Sequence, residues 1–328
     1  MKLHPLIAAL ILVSPAALAE ETAPFDLLNK RIAISMPKGA KAEARGHSIM
    51  GAPESNESET RIVFEDGEKK MVVMAWELFK RAGANYTEEV PKALKEWSES
   101  EATPFKISKV SEFVTAGIPE KPNADDEAIL HAAAFVRHKD DSIQRIAIYF
   151  NEEFNKTPAR CTELASMVLT SVKSGERSLN LRAGNRELNL LNSGSHLVIT
   201  VPDGWTYTTK EGVDFMVHNL EQVSDFGTTS SSIGIYLGGH PGYHHSRIDE
   251  DTLVKRTRQA PLFGKSKDWI EYSTKEEKDW TGIEIISDLP GIDGTMQTHI
   301  FTGASDAKRL DELLKIIATT KIEPAKKK

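Results

Sequence analysis

The chain contains one short pattern twice, and this repeat limits its possible folds more than any other feature. Residues 31–39, RIAISMPKG, and residues 196–204, HLVITVPDG, both alternate their side chains as a half-buried β-strand does and then reach Pro-x-Gly. Proline cannot donate to a strand ladder and glycine frees the backbone, so each strand should stop there. Leu-Leu-Asn precedes both segments. The pattern predicts one structural unit that is present twice.

The two halves also end alike. Apolar residues three or four positions apart predict one helix starting near Pro158 and another starting at Ser305 or Asp306, each lying with one face on a sheet. Thr157 is a suitable N-cap for the first helix, and proline is favoured at the first helical position. The predicted apolar stripes are Cys161, Leu164, Val168 and Val172 in the first helix and Leu310, Leu313, Leu314 and Ile317 in the second.

Between these ends, both halves show paired β-rich runs. In the first half, runs at 61–64 and 71–76 flank a turn at 65–68, and a helix is predicted over 88–99. In the second half, a helix is predicted from 251 toward 259. Strands in adjacent hairpins favour an antiparallel sheet over a doubly wound nucleotide fold.

The predicted fold class is therefore α+β, with two tandem α/β/α sandwich domains, each a mainly antiparallel sheet with helices packed on it. We expect the first domain at 24–173, a polar linker at 174–187 and the second domain at 188–323. The alternative is one large α+β domain whose ends resemble each other by chance.

The N-terminus predicts export. Residues 1–19 have an apolar run from Leu6 to Val13 and then Ala17-Leu18-Ala19, which is typical of a secretory signal peptide and too short to span a bilayer. A single cysteine, Cys161, cannot form an intramolecular disulfide, so packing must hold the exported chain together. We expect a periplasmic or secreted protein with no transmembrane segment after cleavage and a short basic tail at 324–328.

A family resemblance rests on residues of the second half. The strand ending TVPDGW (200–205), the hairpins, and the amphipathic helix running into ATTKIE (318–323) resemble the PsbP/Mog1-like superfamily, which includes the DcrB-like envelope proteins. The resemblance covers both halves in outline, but Ala40 stands where the second half has Trp205. It implies an α/β/α sandwich with a binding or assembly role, and it transfers no catalytic residue.

The segment GGHPGYHHSRIDED (238–251) is the strongest candidate for a metal site. Imidazole is a good ligand for transition metals, so His240, His244 and His245 could bind one together with Asp249. Pro241-Gly242 makes a regular helix unlikely there, and adjacent histidines point apart in an extended chain. The alternative is a polar loop that leads into the next element, with no cofactor bound.

Other chemistry is weakly indicated. Cys161 lies on an apolar stripe and is expected to be a small buried side chain rather than a nucleophile. The chain has no Gly-x-Ser-x-Gly elbow, Walker A loop or His-Glu-x-x-His motif. Aromatic residues concentrate in the second half, and Trp269, Trp280 and Tyr243 are candidates for a binding surface because such side chains add contact area at little entropic cost.

These patterns predict a soluble exported envelope protein with a non-catalytic binding or assembly role. Its expected partner is an envelope protein or a small ligand. A formal net charge of −7 argues against a general nucleic-acid binder. Two alternatives stay open: a metal-binding protein that uses the histidine segment, and an envelope hydrolase of unknown type.

Overall fold

The structure is a computed structural model that describes residues 21–43, 57–100, 104–119, 128–190, 194–277, 279–292 and 296–324. The predicted signal peptide and residues 325–328 of the predicted tail lie outside the described residues. Within the described ranges, no helix has the length and apolar character needed to cross a membrane.

The first half contains two antiparallel sheets. Its strands are β1 (Thr22–Leu27), β2 (Ile32–Pro37), β3 (Lys41–Glu43), β4 (Glu59–Asp66), β5 (Lys69–Arg81), β6 (Phe105–Lys109), β7 (Val114–Pro119), β8 (Ala128–Arg137), β9 (Ser142–Asn151) and β10 (Lys173–Ser174). The larger sheet has the order β3-β4-β5-β9-β8-β7-β6, and the smaller sheet has the order β1-β2-β10.

Helices cover both faces of the first large sheet. They are α1 (Tyr86–Ser100), the short α2 (Glu152–Asn155) and α3 (Pro158–Ser171). On the inner face, Leu164 and Val168 of α3 share a core with Ile146 and Ile148 of β9. The opposite, outer face is covered by α1, whose residues belong to a separate apolar cluster with Phe135. Neighbouring side chains on each strand point to opposite sides. Because a helix covers each side, apolar residues are buried at both sets of positions.

The second half also contains two antiparallel sheets. Its elements are β11 (Gly184–Asn189), β12 (Ser195–Val201), β13 (Trp205–Glu211), β14 (Phe215–Gln222), β15 (Ser224–Asp225), β16 (Ser232–Gly238), a 3-10 turn (His245–Arg247), β17 (Leu253–Leu262), β18 (Lys265–Thr274), β19 (Thr281–Asp288), β20 (Gln297–Ala304), α4 (Ala307–Ile317) and β21 (Lys321–Pro324). The larger sheet has the order β13-β14-β16-β20-β19-β18-β17, and the smaller has the order β11-β12-β21. Leu310 and Leu313 of α4 pack with Ile283 and Ile300 on the inner face.

The strand order of the two halves is the same. Leaving aside β15, which pairs only with β5, each larger sheet places its strands in the order first, second, third, seventh, sixth, fifth, fourth. Each smaller sheet joins the first, second and last strands of its half, and α3 and α4 both lie directly before that last strand. The α+β class with antiparallel sheets is confirmed, and one connection pattern occurs twice, as the repeat predicts.

The predicted helices are placed as follows. The helix predicted over 88–99 is α1, and those predicted near Pro158 and Asp306 are α3 and α4. Asp306 caps α4 by accepting a hydrogen bond from the Arg309 backbone N–H (2.8 Å), whereas the Thr157 side chain makes no capping bond to α3. Residue 174 of the predicted linker belongs to β10, and residues 184–187 belong to β11.

The helix predicted from 251 toward 259 is wrong, because this segment enters strand β17. All ten residues of β17 pair with β18. The turn between the two strands places both Phe263 (φ 51°) and Gly264 (φ 72°) in the left-handed region, as tight hairpin turns require. The long hairpin overrides local helix propensity.

The two halves contact each other through the segment after β14. Strand β15 pairs in parallel with the end of β5, and the Lys80 ammonium donates to the Ser224 hydroxyl (2.7 Å). The Phe226 ring packs edge-on against Tyr86 (6.2 Å between centroids) and Phe135 (5.3 Å). A side chain of the second half is therefore part of the apolar cluster beneath α1 in the first.

A buried ion network holds the linker to the first half. Arg31, which is fully buried, donates to the Glu77 carboxylate (2.6 Å), the Asp140 carboxylate (3.0 Å) and the Arg177 carbonyl (3.0 Å). Asp140 also accepts from the Leu179 backbone N–H (2.9 Å). One guanidinium thus links β2, β5, the β8–β9 turn and the chain that leads to the second half.

We predict that Arg31→Met lowers the free energy of unfolding by about 3–5 kcal/mol, because it leaves the buried Glu77 carboxylate without its counter-charge. Urea denaturation followed by circular dichroism measures the change. The control is Lys38→Met, which removes an exposed ion pair with Glu21 and should leave stability unchanged within error. Equal stability of the two variants would contradict the role of the network.

Candidate functional site

The outer face of the second large sheet lacks the helix that covers the first. In the first half, α1 connects the third and fourth strands of the larger sheet. In the second half, residues 239–252 make this connection, and we call them the histidine loop. Their only helical residues in the structure are the short turn His245–Arg247. The loop therefore takes the place that α1 has in the repeat.

The side chains of a β-strand point alternately to its two faces, and this alternation decides which residues of β19 and β20 lie on the outer face. On β19, Ile283 and Ile285 belong to the inner core, so Glu284 between them points to the outer face. On β20, Ile300 belongs to the inner core, so His299 and Phe301 point outward. We call the outward rings of this face the aromatic surface; they are Phe215, Tyr236, Tyr243, His244, Tyr272, Trp280, His299 and Phe301.

Glycines make room for these rings on the sheet. A Cβ atom added at Gly234 would lie closer than 3.0 Å to the Phe301 ring, and one at Gly303 would meet the Trp280 ring equally closely. Tyr272 lies over Gly282, Phe215 over Gly212 and Tyr236 over Gly238 in the same way. Each ring thus lies against bare backbone, a pairing that stabilises glycines in sheets.

Glu284 holds the histidine loop against the sheet. Its carboxylate, which is fully buried, accepts hydrogen bonds from the backbone N–H groups of His244 (2.8 Å) and His245 (2.9 Å). It also accepts from His245 Nδ1 (2.8 Å) and from His299 Nε2 (2.6 Å). Four bonds to one carboxylate fix the turn of the loop and the planes of two imidazole rings.

These bonds keep Glu284 ionised. Burial would raise the pKa of the carboxyl group, but the bonds from the His299 side chain, the two backbone N–H groups and the His245 side chain lower that pKa to about 2. An ionised carboxylate can only accept, so His245 Nδ1 and His299 Nε2 both carry hydrogen. Burial and the neighbouring His299 lower the pKa of His244.

The rings of the loop pack on those of the sheet. His244 contacts Phe301 with centroids 4.2 Å apart and His299 at 5.0 Å. Tyr243 lies 5.1 Å from His245 and 6.0 Å from His299. Trp280, at the outer end of the group, packs edge-on against Tyr272 (5.7 Å) and keeps 38% of its surface exposed.

The structure brings together only two of the four residues predicted to bind a metal ion. His244 and His245 join the group around Glu284, whereas His240 and Asp249 are exposed and make no contact with it among the described residues. Across the described ranges, no group of three or more histidine, cysteine or acidic side chains is arranged to hold a metal ion. The metal site stays a prediction.

The predicted surface role of Trp269 is wrong. Trp269 is fully buried in the inner core, where its Nε1–H donates to the Ala260 carbonyl (3.2 Å). Tyr272, three positions later on β18, lies on the outer face, so alternation turns Trp269 inward. Trp280 is exposed and Tyr243 is half-buried, so both lie where a partner could contact them.

Sequence reasoning missed Glu284 and His299. The available signal was a polar residue at the outward position of a strand whose inward positions are apolar, in GIEII (282–286) and THIF (298–301). A charged residue among buried apolar ones requires partners. His299 bonds Glu284, and the other donors to Glu284 come from a loop about 40 positions away, which no local pattern identifies.

The arrangement favours a structural role for Glu284. With its pKa near 2 and four donors already bound, this carboxylate is a poor proton acceptor at neutral pH. Cys161 is buried as expected, and burial raises the pKa of its thiol to about 11, which disfavours the thiolate form.

Comparisons with known proteins assign no family to this chain. Neither a protein-family model nor a curated protein matches the chain. Among solved structures, the chain is similar to the apo structure of the immunity protein TplEi of T6SS from Pseudomonas aeruginosa. The identity is 8% and the TM-score is 0.23, over 93% of this chain and 98% of that chain.

We predict that Glu284→Gln flattens the acid dependence of stability. The folded-state pKa of Glu284, about 2, lies below the ordinary value of 4.5, so its contribution is present above pH 4.5 and is lost as the pH falls toward 2. The full contribution is about 3 kcal/mol. Urea denaturation at several pH values measures it.

The control for this experiment is Glu276→Gln, which changes an exposed carboxylate of the same half. Its acid dependence should match that of the unmodified chain. If Glu284→Gln loses stability between pH 4.5 and 2 as steeply as the control, Glu284 is not held ionised by the loop.

Proposed function

We propose that this chain is an exported envelope protein that binds a partner protein through the aromatic surface of its second half, without turnover. The observation that carries the proposal is the replacement of α1 by the histidine loop in an otherwise repeated topology. A helix covers the outer face in the first half, whereas here Trp280 is exposed and Tyr243, His244 and Phe301 are half-buried.

The residue types of the surface support binding. Tryptophan and tyrosine are enriched at the energetic centres of protein interfaces, because their rings supply much contact area with few rotatable bonds. Half-buried aromatic rings gathered around one exposed tryptophan, here Trp280, are typical of an interaction site. Phe215 stacks on Tyr236 with centroids 5.8 Å apart, which extends the surface toward β14.

The surface is also held in place by contacts within the chain. Glycines fix the height of the rings above the sheet, and the four hydrogen bonds to Glu284 fix the loop that carries Tyr243 and His244. A preorganised surface loses little side-chain entropy on association, so more of the contact energy appears as affinity.

The proposed location and family of the protein are supported mainly by its sequence. The signal-peptide pattern at 1–19 supports a periplasmic or secreted location, and the TVPDGW strand with the repeated topology supports kinship with the PsbP/Mog1-like (DcrB-like) superfamily. We infer no cofactor and no catalytic residue. The metal-binding and hydrolase alternatives have no further observation in their favour.

Site-specific photo-crosslinking in the host cell tests the proposal. A photoreactive phenylalanine analogue at position 280 should form an adduct with one discrete protein, which mass spectrometry then identifies. The matched control is position 113, because Phe113 in the first half has the same 38% exposure as Trp280. Absence of an adduct at 280, or the same adducts at both positions, would contradict the proposal.

A further inference from the structure

We infer that the partner presents a cationic surface, with lysine or arginine side chains around an apolar or aromatic anchor. This inference rests on the proposed function. It comes from the charges that border the aromatic surface next to its most exposed ring, Trp280, and it identifies the chemistry of the partner that the surface accepts.

Two acidic segments meet beside Trp280. One is the end of the histidine loop, and the other is the connection from β18 to β19. The backbone N–H of Lys275 donates to the Thr252 carbonyl (2.9 Å), and the Lys275 ammonium donates to the Asp251 carbonyl. The Trp280 backbone N–H donates to the Glu277 carbonyl (3.4 Å), so the ring lies directly after the second segment.

The balance of charge in these segments is negative. Residues 247–251 and 275–279 contain six acidic and three basic side chains. We call the six acids the acidic rim; they are Asp249, Glu250, Asp251, Glu276, Glu277 and Asp279. All six are exposed.

The acidic rim is not neutralised from within the described ranges, where none of its carboxylates pairs with a lysine or arginine. Some acids on the helices of the first half do pair: Glu89 with Lys92 (2.9 Å), and Glu163 with Arg160 (2.7 Å). Charges left unpaired around an apolar contact area steer association toward a partner of opposite sign and suppress wrong partners.

Lys275 keeps its positive charge while it donates to the Asp251 carbonyl, but the three basic side chains of these segments offset only half of the six carboxylates. An anionic partner would therefore meet repulsion at the edge of the aromatic surface, whereas a cationic one would gain both steering and contact. Because the acids are exposed, their effect on association should weaken as salt rises.

A phage-displayed random peptide library, selected on the full chain and counter-selected on Trp280→Ala, tests the inference. Enriched peptides should carry net positive charge and an aromatic or aliphatic residue. One enriched peptide is then synthesised, and its Kd is measured by fluorescence anisotropy at low and high salt.

The test variant is Glu250→Gln/Glu276→Gln/Glu277→Gln, which neutralises half of the acidic rim. It should bind the peptide roughly tenfold more weakly at low salt, with a smaller loss at high salt. The matched control, Asp26→Asn/Glu112→Gln/Glu176→Gln, neutralises three exposed acids outside the second half and should bind like the unmodified chain.

The outcomes separate this inference from the proposed function. Enriched peptides that need Trp280 but are neutral or acidic would overturn the inference and leave the binding surface standing. Equal weakening by the test and control variants would also overturn it. If no enrichment depends on Trp280, the aromatic surface itself is the wrong site.

Discussion

A β-sheet has two faces, and its apolar residues must be covered on whichever face carries them; this constraint shapes both halves of the molecule. The first half covers both faces of its large sheet with helices, α3 inside and α1 outside. The second half repeats the strand order but replaces α1 with a loop held by one buried carboxylate, Glu284. The same strand order thus has a helix on its outer face in the first half and a loop with Trp280 exposed beside it in the second.

The two halves are joined by specific contacts rather than by a free tether. Arg31 binds the start of the linker to the first half, and Phe226 of the second half enters the apolar cluster under α1. Lys80 adds a bond to Ser224 beside the short parallel pair of β5 and β15. The second half is therefore attached to the first both at the linker and at the segment after β14.

The spacing of apolar residues along the sequence predicts some elements of this structure. The other elements depend on contacts between residues that are far apart in the sequence. Apolar periodicity locates α3 and α4 because each helix lies on a sheet with one dry face. It fails for β17, where pairing with β18 outweighs helix propensity, and it cannot tell that Trp269 points inward. Glu284 and His299 are predictable only as polar residues in apolar strands. His299 bonds Glu284, and the other donors to Glu284 come from the histidine loop, whose path depends on the complete fold.

The most direct test of the binding surface is amide hydrogen exchange of the full chain with and without the partner captured at position 280. The account predicts slower exchange at residues 243–247 and 280–284 in the complex, with exchange in α1 of the first half unchanged. Protection confined to α1 and the strands beneath it, with the histidine loop unaffected, would contradict the account.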